Sequence, residues 1–163
     1  MAGVDALIDA WEAAWSSKDP DAFEELLAPD FHYEDPLTGE PLQGASQLAR
    51  HAGRLWAAFP DARVERTGDR LYNDRFLAAP SKLLATHREP LEGLPATNKF
   101  IVVHVVCYCE LRGSHLLRVR AFFDLYGAAT QLGVLPARGT LGEKALLVLR
   151  GFGFRAARGG SPT

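Results

Sequence analysis

Four strand-like segments in the middle of the chain constrain its fold more than any other feature. Each is rich in β-branched and other apolar residues and is bounded by turn residues, and they cover Arg63–Tyr72, Arg75–His87, Phe100–Leu111 and Leu116–Phe123. The connections between them are too short for crossover helices, which favours antiparallel neighbours. Pro80 lacks a backbone N–H, which predicts a bulge or a sheet edge in the second segment. The sequence therefore predicts a curved, mostly antiparallel sheet.

Three helical segments precede this sheet. Apolar residues at helical spacing, with Trp11 and Trp15 among them, predict an amphipathic first helix. The pair Asp19-Pro20 has the order of an N-cap and a first helical residue, which predicts a second, shorter helix. A third helix is predicted between a capping Ser46 and Phe59. The apolar faces of these helices can fill the concave side of the sheet, which predicts an α+β cone with an internal pocket.

The rest of the chain adds two helical segments to this plan. Asp124 directly follows the last strand and is expected to cap a helix, and Leu141–Leu149 predicts an extra C-terminal helical segment. A length of 163 residues fits a single domain, which we place at residues 1–150. Residues 151–163 combine Gly, Arg and Ser without periodicity, so we expect a flexible tail there.

The composition argues against several kinds of partner. The formal net charge is −2 and the basic residues of the main body are scattered, so we expect no nucleic-acid partner. Acidic residues interrupt the apolar positions of the first 27 residues, which argues against a signal peptide or spanning helix there. We therefore expect a cytoplasmic protein with no membrane partner.

The two cysteines, Cys107 and Cys109, stand two positions apart on a predicted strand. Their side chains share one face but are poorly placed for a mutual disulfide, so we expect free thiols. No Cys or His recurs at a zinc-ligand spacing, and we expect neither a metal nor a cofactor.

The segment Phe31–Gly44 is a short apolar strand that runs into a turn rich in proline and glycine. Pro36 biases Asp35 toward an extended backbone and ends the strand, so the Asp35 carboxylate stands at a strand edge. Such a carboxylate can accept a proton if apolar neighbours raise its pKa. The alternative is a solvated aspartate that caps the turn. The local sequence leaves both interpretations open.

Several short motifs, in their order along the chain, resemble the nuclear transport factor 2-like superfamily, which includes ketosteroid isomerases, limonene epoxide hydrolases and SnoaL-like polyketide cyclases. Glu34-Asp35-Pro36 with the following GEPLQG is similar to the segment that holds the general base of the isomerases. Thr86-His87 with the following GLPAT resembles the hairpin of the cyclases, and RAFFD ends the last strand before QLGVLP. The resemblance covers nearly the whole chain and implies a sheet wrapped around three helices with a pocket inside.

This resemblance implies roles for particular residues. Asp35 falls where the isomerases carry their catalytic aspartate. Trp11 and Cys107 fall where the isomerases have the tyrosine and the protonated acid of the oxyanion hole. A thiol is a weak donor, so we do not expect an oxyanion hole of full isomerase strength. Ala121 stands where the epoxide hydrolases and the SnoaL-type aldol cyclases carry their working aspartate, which counts against both activities.

We expect aromatic and small side chains to line the substrate pocket, namely Trp11, Trp15, His32, Tyr33, Trp56, Phe59, Cys107, Cys109, Ala121 and Phe123. The alternative for the aromatic residues is ordinary core packing. His32 and Tyr33 face opposite sides of their strand, so only one of them should point inward. His87 is the predicted catalytic helper of Asp35, since a neutral imidazole can hydrogen-bond a substrate carbonyl or relay a proton. The alternative for His87 is a half-exposed residue at a hairpin end.

Asp35 beside an apolar wall favours a cofactor-independent cyclase or isomerase. It would act on a small apolar, polyketide-like carbonyl compound, with Asp35 as general base. The alternatives are a non-catalytic ligand-binding or dimerisation module of the same fold, confinement of a spontaneous cyclisation and, more weakly, an epoxide hydrolase-like activity. We expect a homodimer that pairs through the outer sheet face, where His104, Tyr108 and Glu110 lie.

Overall fold

The structure is a computed structural model that describes residues 2–149. In chain order its elements are α1 (Ala2–Ser17), a 3-10 helix (Asp21–Leu26), β1 (Leu27–Glu34), β2 (Leu42–Gln43), α2 (Gly44–Ala58), β3 (Arg63–Arg66), β4 (Leu71–Tyr72), β5 (Phe76–Thr86), β6 (Phe100–Arg112), β7 (His115–Phe123), α3 (Leu125–Gln131) and α4 (Leu141–Leu149). The segment predicted to be a flexible tail, 151–163, lies outside the described residues. Within them, no helix combines the length and the apolarity needed to cross a membrane.

Seven strands form one curved sheet in the order β2-β1-β7-β6-β5-β3, with β4 also paired to β5. All pairs are antiparallel except β1 with β7, which run parallel. The two ends of this order do not pair, so the sheet curves without closing. The predicted α+β fold with a mostly antiparallel curved sheet is confirmed.

The first predicted strand, Arg63–Tyr72, is in fact two strands. β3 ends opposite Ser81 of β5, and β4 begins opposite Ala78. The gap faces Pro80, whose pairing with β6 continues without a register shift. The interruption predicted at Pro80 therefore falls in the neighbouring strand. It releases residues 67–70 from the sheet, which brings Arg70 against α1.

The second predicted helix is also different in the structure. It is a 3-10 helix that stops at Leu26, because Leu27 already has an extended backbone and pairs with Leu116 of β7. The third helix begins at Gly44 rather than after Ser46. Gly44 has a φ of 69°, a left-handed conformation that glycine adopts without a steric penalty, and it turns the chain from β2 into α2. The predicted Asp124 cap is confirmed, since its carboxylate accepts the Gly127 N–H at 2.8 Å.

The N-terminal helices pack on the concave face of the sheet through aromatic side chains. The Trp11 ring lies 5.5 Å from Phe23, 6.3 Å from Phe31 and 6.1 Å from Tyr33 between centroids. Trp56 of α2 stacks on Phe23 at 6.0 Å with an interplanar angle of 4°. These contacts form the main core, and a second buried cluster lies around the end of α2, β5 and β6. Members of both clusters line an internal cavity.

Candidate functional site

The cavity has a volume of about 280 Å³ and lies between the concave face of the sheet and the helices. This volume is near the lower end of the range for small-molecule sites, about 300–1,000 Å³. Its wall is mostly apolar, with aromatic rings on the helix side and valines, alanines and Cys107 on the sheet side. Oxygen-bearing side chains reach it at four positions, which are Glu12, Tyr33, Asp35 and Ser81. The site is therefore a small apolar chamber with a few fixed polar groups.

Asp35 follows the last residue of β1, and its two carboxylate oxygens have separate partners. Oδ1 accepts the backbone N–H groups of Leu37 at 2.7 Å and Thr38 at 3.0 Å. Oδ2 accepts the Tyr33 hydroxyl at 2.9 Å and lies 2.7 Å from Nε2 of His51. The side chain is 3% exposed. One oxygen therefore caps the turn, but the carboxylate is buried rather than solvated, and its other oxygen belongs to a buried polar group on the cavity wall.

His51 of α2 was not identified from the sequence as a site residue. Its side chain is 3% exposed, and its Nδ1 lies 3.2 Å from the guanidinium of Arg54. A guanidinium only donates, so Nδ1 is the acceptor and Nε2 carries the proton that is donated to Asp35. The signal in the sequence was a histidine within the apolar stripe of α2, three residues after Leu48 and four before Leu55.

The protonation states of this group follow from its contacts. Burial raises the pKa of Asp35, but the hydrogen bonds from His51, the Leu37 amide and Tyr33 outweigh it, so the net pKa is below its ordinary value. Asp35 is therefore ionised at neutral pH. Burial and the nearby Asp35 charge hold the pKa of Tyr33 well above its usual range, so Tyr33 stays a donor. The condition set from the sequence, a pKa raised by apolar neighbours, is not met.

The positions compared with an oxyanion hole, Trp11 and Cys107, both lie on the cavity wall. Burial raises the pKa of Cys107 to about 12, and a hydrogen bond with Trp11 offsets this only in part. The charges of Glu12 and Asp35 contribute to the same increase in pKa. Cys107 is thus a neutral thiol, and the donors at this part of the wall are one indole N–H and one S–H.

Nine of the predicted site residues line the cavity together: Trp11, Trp15, Tyr33, Asp35, Trp56, Phe59, Cys107, Ala121 and Phe123. The other three, His32, His87 and Cys109, do not line it. Strand alternation turns Tyr33 inward, so His32 faces the other side of β1 and is half-buried. Cys109 is fully buried in the main core, two positions after the cavity-lining Cys107 on β6. Both cysteines are free thiols, as predicted.

His87 is fully buried behind the cavity wall, so the expectation of a half-exposed residue is wrong. Its ring lies 5.1 Å from the ring of Phe59, which lines the cavity. Its Nδ1 accepts the backbone N–H of Thr97 at 3.2 Å, and Nε2 has no hydrogen-bond partner. This contact ties the loop between β5 and β6 to the end of β5. The structure therefore separates His87 from the group formed by Asp35 and His51.

Glu12 and Ser81 were also missed in the sequence. Glu12 directly follows Trp11 on α1, at the edge of the apolar face of that helix, and its side chain is 13% exposed. Ser81 follows Pro80 in β5 and is 4% exposed. Within residues 2–149, no cluster of three or more His, Cys, Asp or Glu side chains could hold a metal ion.

A curved sheet around helices, with an apolar cavity and a carboxylate at the end of a strand, is an arrangement typical of a small-molecule site. Residues 5–132 match the family of SnoaL-like polyketide cyclases, and the chain belongs to that family. A comparison with curated proteins gives no significant sequence match.

Solved structures agree with this fold. TsrD from Streptomyces laurentii is 20% identical with a TM-score of 0.73, over 82% of this chain and 97% of its own. IdmH from Streptomyces antibioticus, a candidate polyketide cyclase, is 21% identical with a TM-score of 0.69, over 80% and 98% of the two chains. An LEH-like epoxide hydrolase from M. tuberculosis is 16% identical with a TM-score of 0.63, over 91% and 97%. At these identities the likeness is one of fold.

Proposed function

We propose that this protein is a cofactor-independent cyclase or isomerase that acts on a small apolar carbonyl compound, with Asp35 as general base. The observation that carries the proposal is a carboxylate, 3% exposed, on the wall of an apolar cavity and hydrogen-bonded at both oxygens. Membership of the SnoaL-like polyketide cyclase family supports the same class of chemistry.

In the proposed reaction, Oδ2 of Asp35 takes a proton from the carbon next to the substrate carbonyl. The electrons of the broken C–H bond move into the new C=C bond, and those of the carbonyl π bond move to its oxygen, which gives an enolate. In an isomerisation the same carboxylic acid returns the proton at another carbon. In a cyclisation the enolate carbon attacks a second carbonyl of the same molecule, and the proton goes to the oxygen of that carbonyl. Holding the two reacting carbons together supplies much of the rate.

The low pKa of Asp35 limits the substrates on which it can act. A carboxylate stabilised by four donors is a weak base, so the proton that it removes must already be acidified, as between two carbonyl groups or between a carbonyl and an aromatic ring. The donors next to the cavity, Trp11 and Cys107, would stabilise the enolate only modestly. Both features favour polyketide-like compounds over simple ketones.

The sequence leaves three alternatives, and the cavity bears on two of them. A cavity that reaches Asp35 favours an enzyme over a module whose interior is filled by aromatic side chains. The epoxide hydrolase alternative receives less support, because residue 121 on the cavity wall is an alanine and supplies no carboxylate.

The proposal can be tested without the natural substrate. The ketone 2-tetralone carries an acidified proton between its carbonyl and its aromatic ring, and its exchange with D₂O can be followed by NMR. The wild-type protein should accelerate this exchange, and Asp35→Asn should reduce the acceleration by about 100-fold or more, because general-base catalysis contributes about 10²–10⁴-fold. Asp30→Asn is the matched control, since Asp30 also lies on β1 but is 56% exposed. An Asp35→Asn protein that exchanges as fast as the control would contradict the proposal.

A further inference from the structure

The charge on the cavity wall is entirely negative among the residues that the structure describes. Two carboxylates, Glu12 and Asp35, line the cavity, and no Lys, Arg or His of the described range is part of the lining. The remaining wall is apolar apart from Tyr33 and Ser81, and the rings of Trp11 and Trp15 line the cavity from the same helix as Glu12. A ligand that brings an anion into this chamber would meet repulsion and no counter-charge.

Glu12 is held in place from behind by Arg70. Its Oε2 accepts a hydrogen bond from the Arg70 guanidinium at 2.9 Å, and the Arg70 side chain is 1% exposed. The same guanidinium also binds Asp9 at 2.6 Å and Asp5 at 3.3 Å. Three carboxylates therefore share this guanidinium. Burial raises the pKa of Glu12 in spite of this contact.

Glu12 differs from the other two acids because of where it lies. Asp5 and Asp9 are 44% and 67% exposed, respectively, and lie outside the cavity. Their contact with Arg70, which joins α1 to the segment between β3 and β4, is a sufficient role for these two acids. Glu12 is 13% exposed and lines the cavity. Asp5 and Asp9 contact Arg70 from outside the cavity, so the contact with Arg70 does not explain why Glu12 lies on the cavity wall.

We propose that Glu12 is a second polar anchor for the ligand, and that it accepts a hydrogen bond from a hydroxyl or a protonated amine of an otherwise apolar ring compound. Aromatic rings beside a carboxylate favour a flat ligand with a donor or a cationic group. This inference rests on the proposed function only in taking this cavity as the substrate site. It narrows the substrate class to ring compounds with a donor group, and it excludes free carboxylates and phosphates.

The test is a binding series with four compounds of one shape, measured by isothermal titration calorimetry at pH 7. The compounds are 1-naphthalenemethylamine, which is a cation at pH 7, and 1-naphthalenemethanol, which has a neutral hydrogen-bond donor. The other two are 1-methylnaphthalene, which has no polar group, and 1-naphthoic acid, which is an anion. The wild-type protein should bind the amine and the alcohol about tenfold more tightly than the methyl compound, and the acid more weakly than all three. Equal or tighter binding of the acid, or no binding of any of the four, overturns the inference without any variant.

Three variants assign the selectivity to a residue. Glu12→Gln keeps the shape of the side chain and an acceptor for Arg70 but removes the charge. The dissociation constants of the amine and the methyl compound should then differ by no more than about twofold. Asp9→Asn makes the same charge change on the same arginine outside the cavity and should keep the wild-type ranking. An unchanged ranking in Glu12→Gln, or a ranking lost in Asp9→Asn or only in Asp35→Asn, overturns the role of Glu12. None of these results bears on proton exchange by Asp35, so the two proposals fail separately.

Discussion

The hydrogen bond from His51 to Asp35 joins two residues that are 16 positions apart in sequence and that lie on different elements. It orients the carboxylate and lowers its pKa, while Arg54 fixes which imidazole nitrogen carries the proton. We therefore treat His51 as a positioning residue. Asp35 and His51 are buried, and Arg54, which is 57% exposed, ends this chain of polar contacts at the surface.

The role of His51 predicts a shift in the pH dependence of α-proton exchange. The base must be ionised, and the pKa of Asp35 lies below its ordinary value of 3.8, so activity should be lost only below that pH in the wild type. His51→Leu removes a donor while the burial remains, so the pKa of Asp35 rises and the acid limb of the profile moves to higher pH. His51→Gln retains a donor and should keep the limb near its original position. A limb that stays in place in His51→Leu, with a folded protein, would leave His51 with a structural role only.

At the scale of the elements, the break between β3 and β4 has a clear consequence. Because residues 67–70 leave the sheet, the Arg70 side chain can pack against α1 and bind its three carboxylates. This contact joins α1 to the segment between β3 and β4 and sets the position of Glu12. A continuous strand over Arg63–Tyr72, as predicted from its composition, would have turned Arg70 into an ordinary strand residue.

Replacement of Arg70 should therefore lower stability. Arg70→Met leaves Glu12 buried without a partner and leaves Asp5 and Asp9 to repel each other, so we expect a loss of about 2–3 kcal/mol in the free energy of unfolding. Arg66→Met is the control, because Arg66 is 47% exposed and its ion pair with Asp69 is long, at 3.9 Å, and should change stability by less than about 0.5 kcal/mol. Urea unfolding measures both. Equal midpoints for the two variants would show that the contact with α1 contributes little.

At the scale of the whole molecule, the outer face of the sheet carries an apolar patch. Val106, Tyr108 and Phe122 are 43%, 42% and 57% exposed, and Phe76 stacks on Tyr108 at 5.8 Å between ring centroids. Arg118 and Arg120 are exposed and lie on β7, the strand that also carries Phe122. We propose that two copies of the chain pair through this face, since exposed apolar patches of this kind commonly mark interfaces.

The proposed homodimer predicts a specific change in mass. Light scattering coupled to size-exclusion chromatography should give twice the chain mass of 17.8 kDa for the wild type. Phe122→Asp should give a monomer with unchanged exchange of 2-tetralone, because Phe122 points away from the cavity. A wild-type monomer at all concentrations would reject the proposal.

The sequence predicted what depends on local pattern. The helix at Leu141–Leu149, the Asp124 cap and the antiparallel strands β5, β6 and β7 follow from periodicity and turn chemistry. The parallel pairing of β1 with β7 was not predicted, because it joins segments that no short turn connects.

The candidate site shows the same division. Asp35 and eight other residues of the cavity wall were identified from the turn, from strand alternation and from the family resemblance. His51 and Glu12 were missed because their roles arise only when α2 and α1 are packed against the sheet. His87 was expected near the cavity because it ends a cavity-lining strand, but the contact with Thr97 turns it behind the wall. Side-chain partners across elements are set by tertiary packing, which no local pattern records.

The central claim is that Asp35 performs proton transfer and does more than bind the ligand or cap its turn. Its most direct test is to measure α-proton exchange and binding of 2-tetralone by the same Asp35→Asn protein, with its folding checked by thermal unfolding. We predict exchange that is slower by about 100-fold or more, with a dissociation constant within about threefold of the wild type. Exchange at the wild-type rate, or a loss of exchange that is matched by an equal loss of binding, would contradict the account.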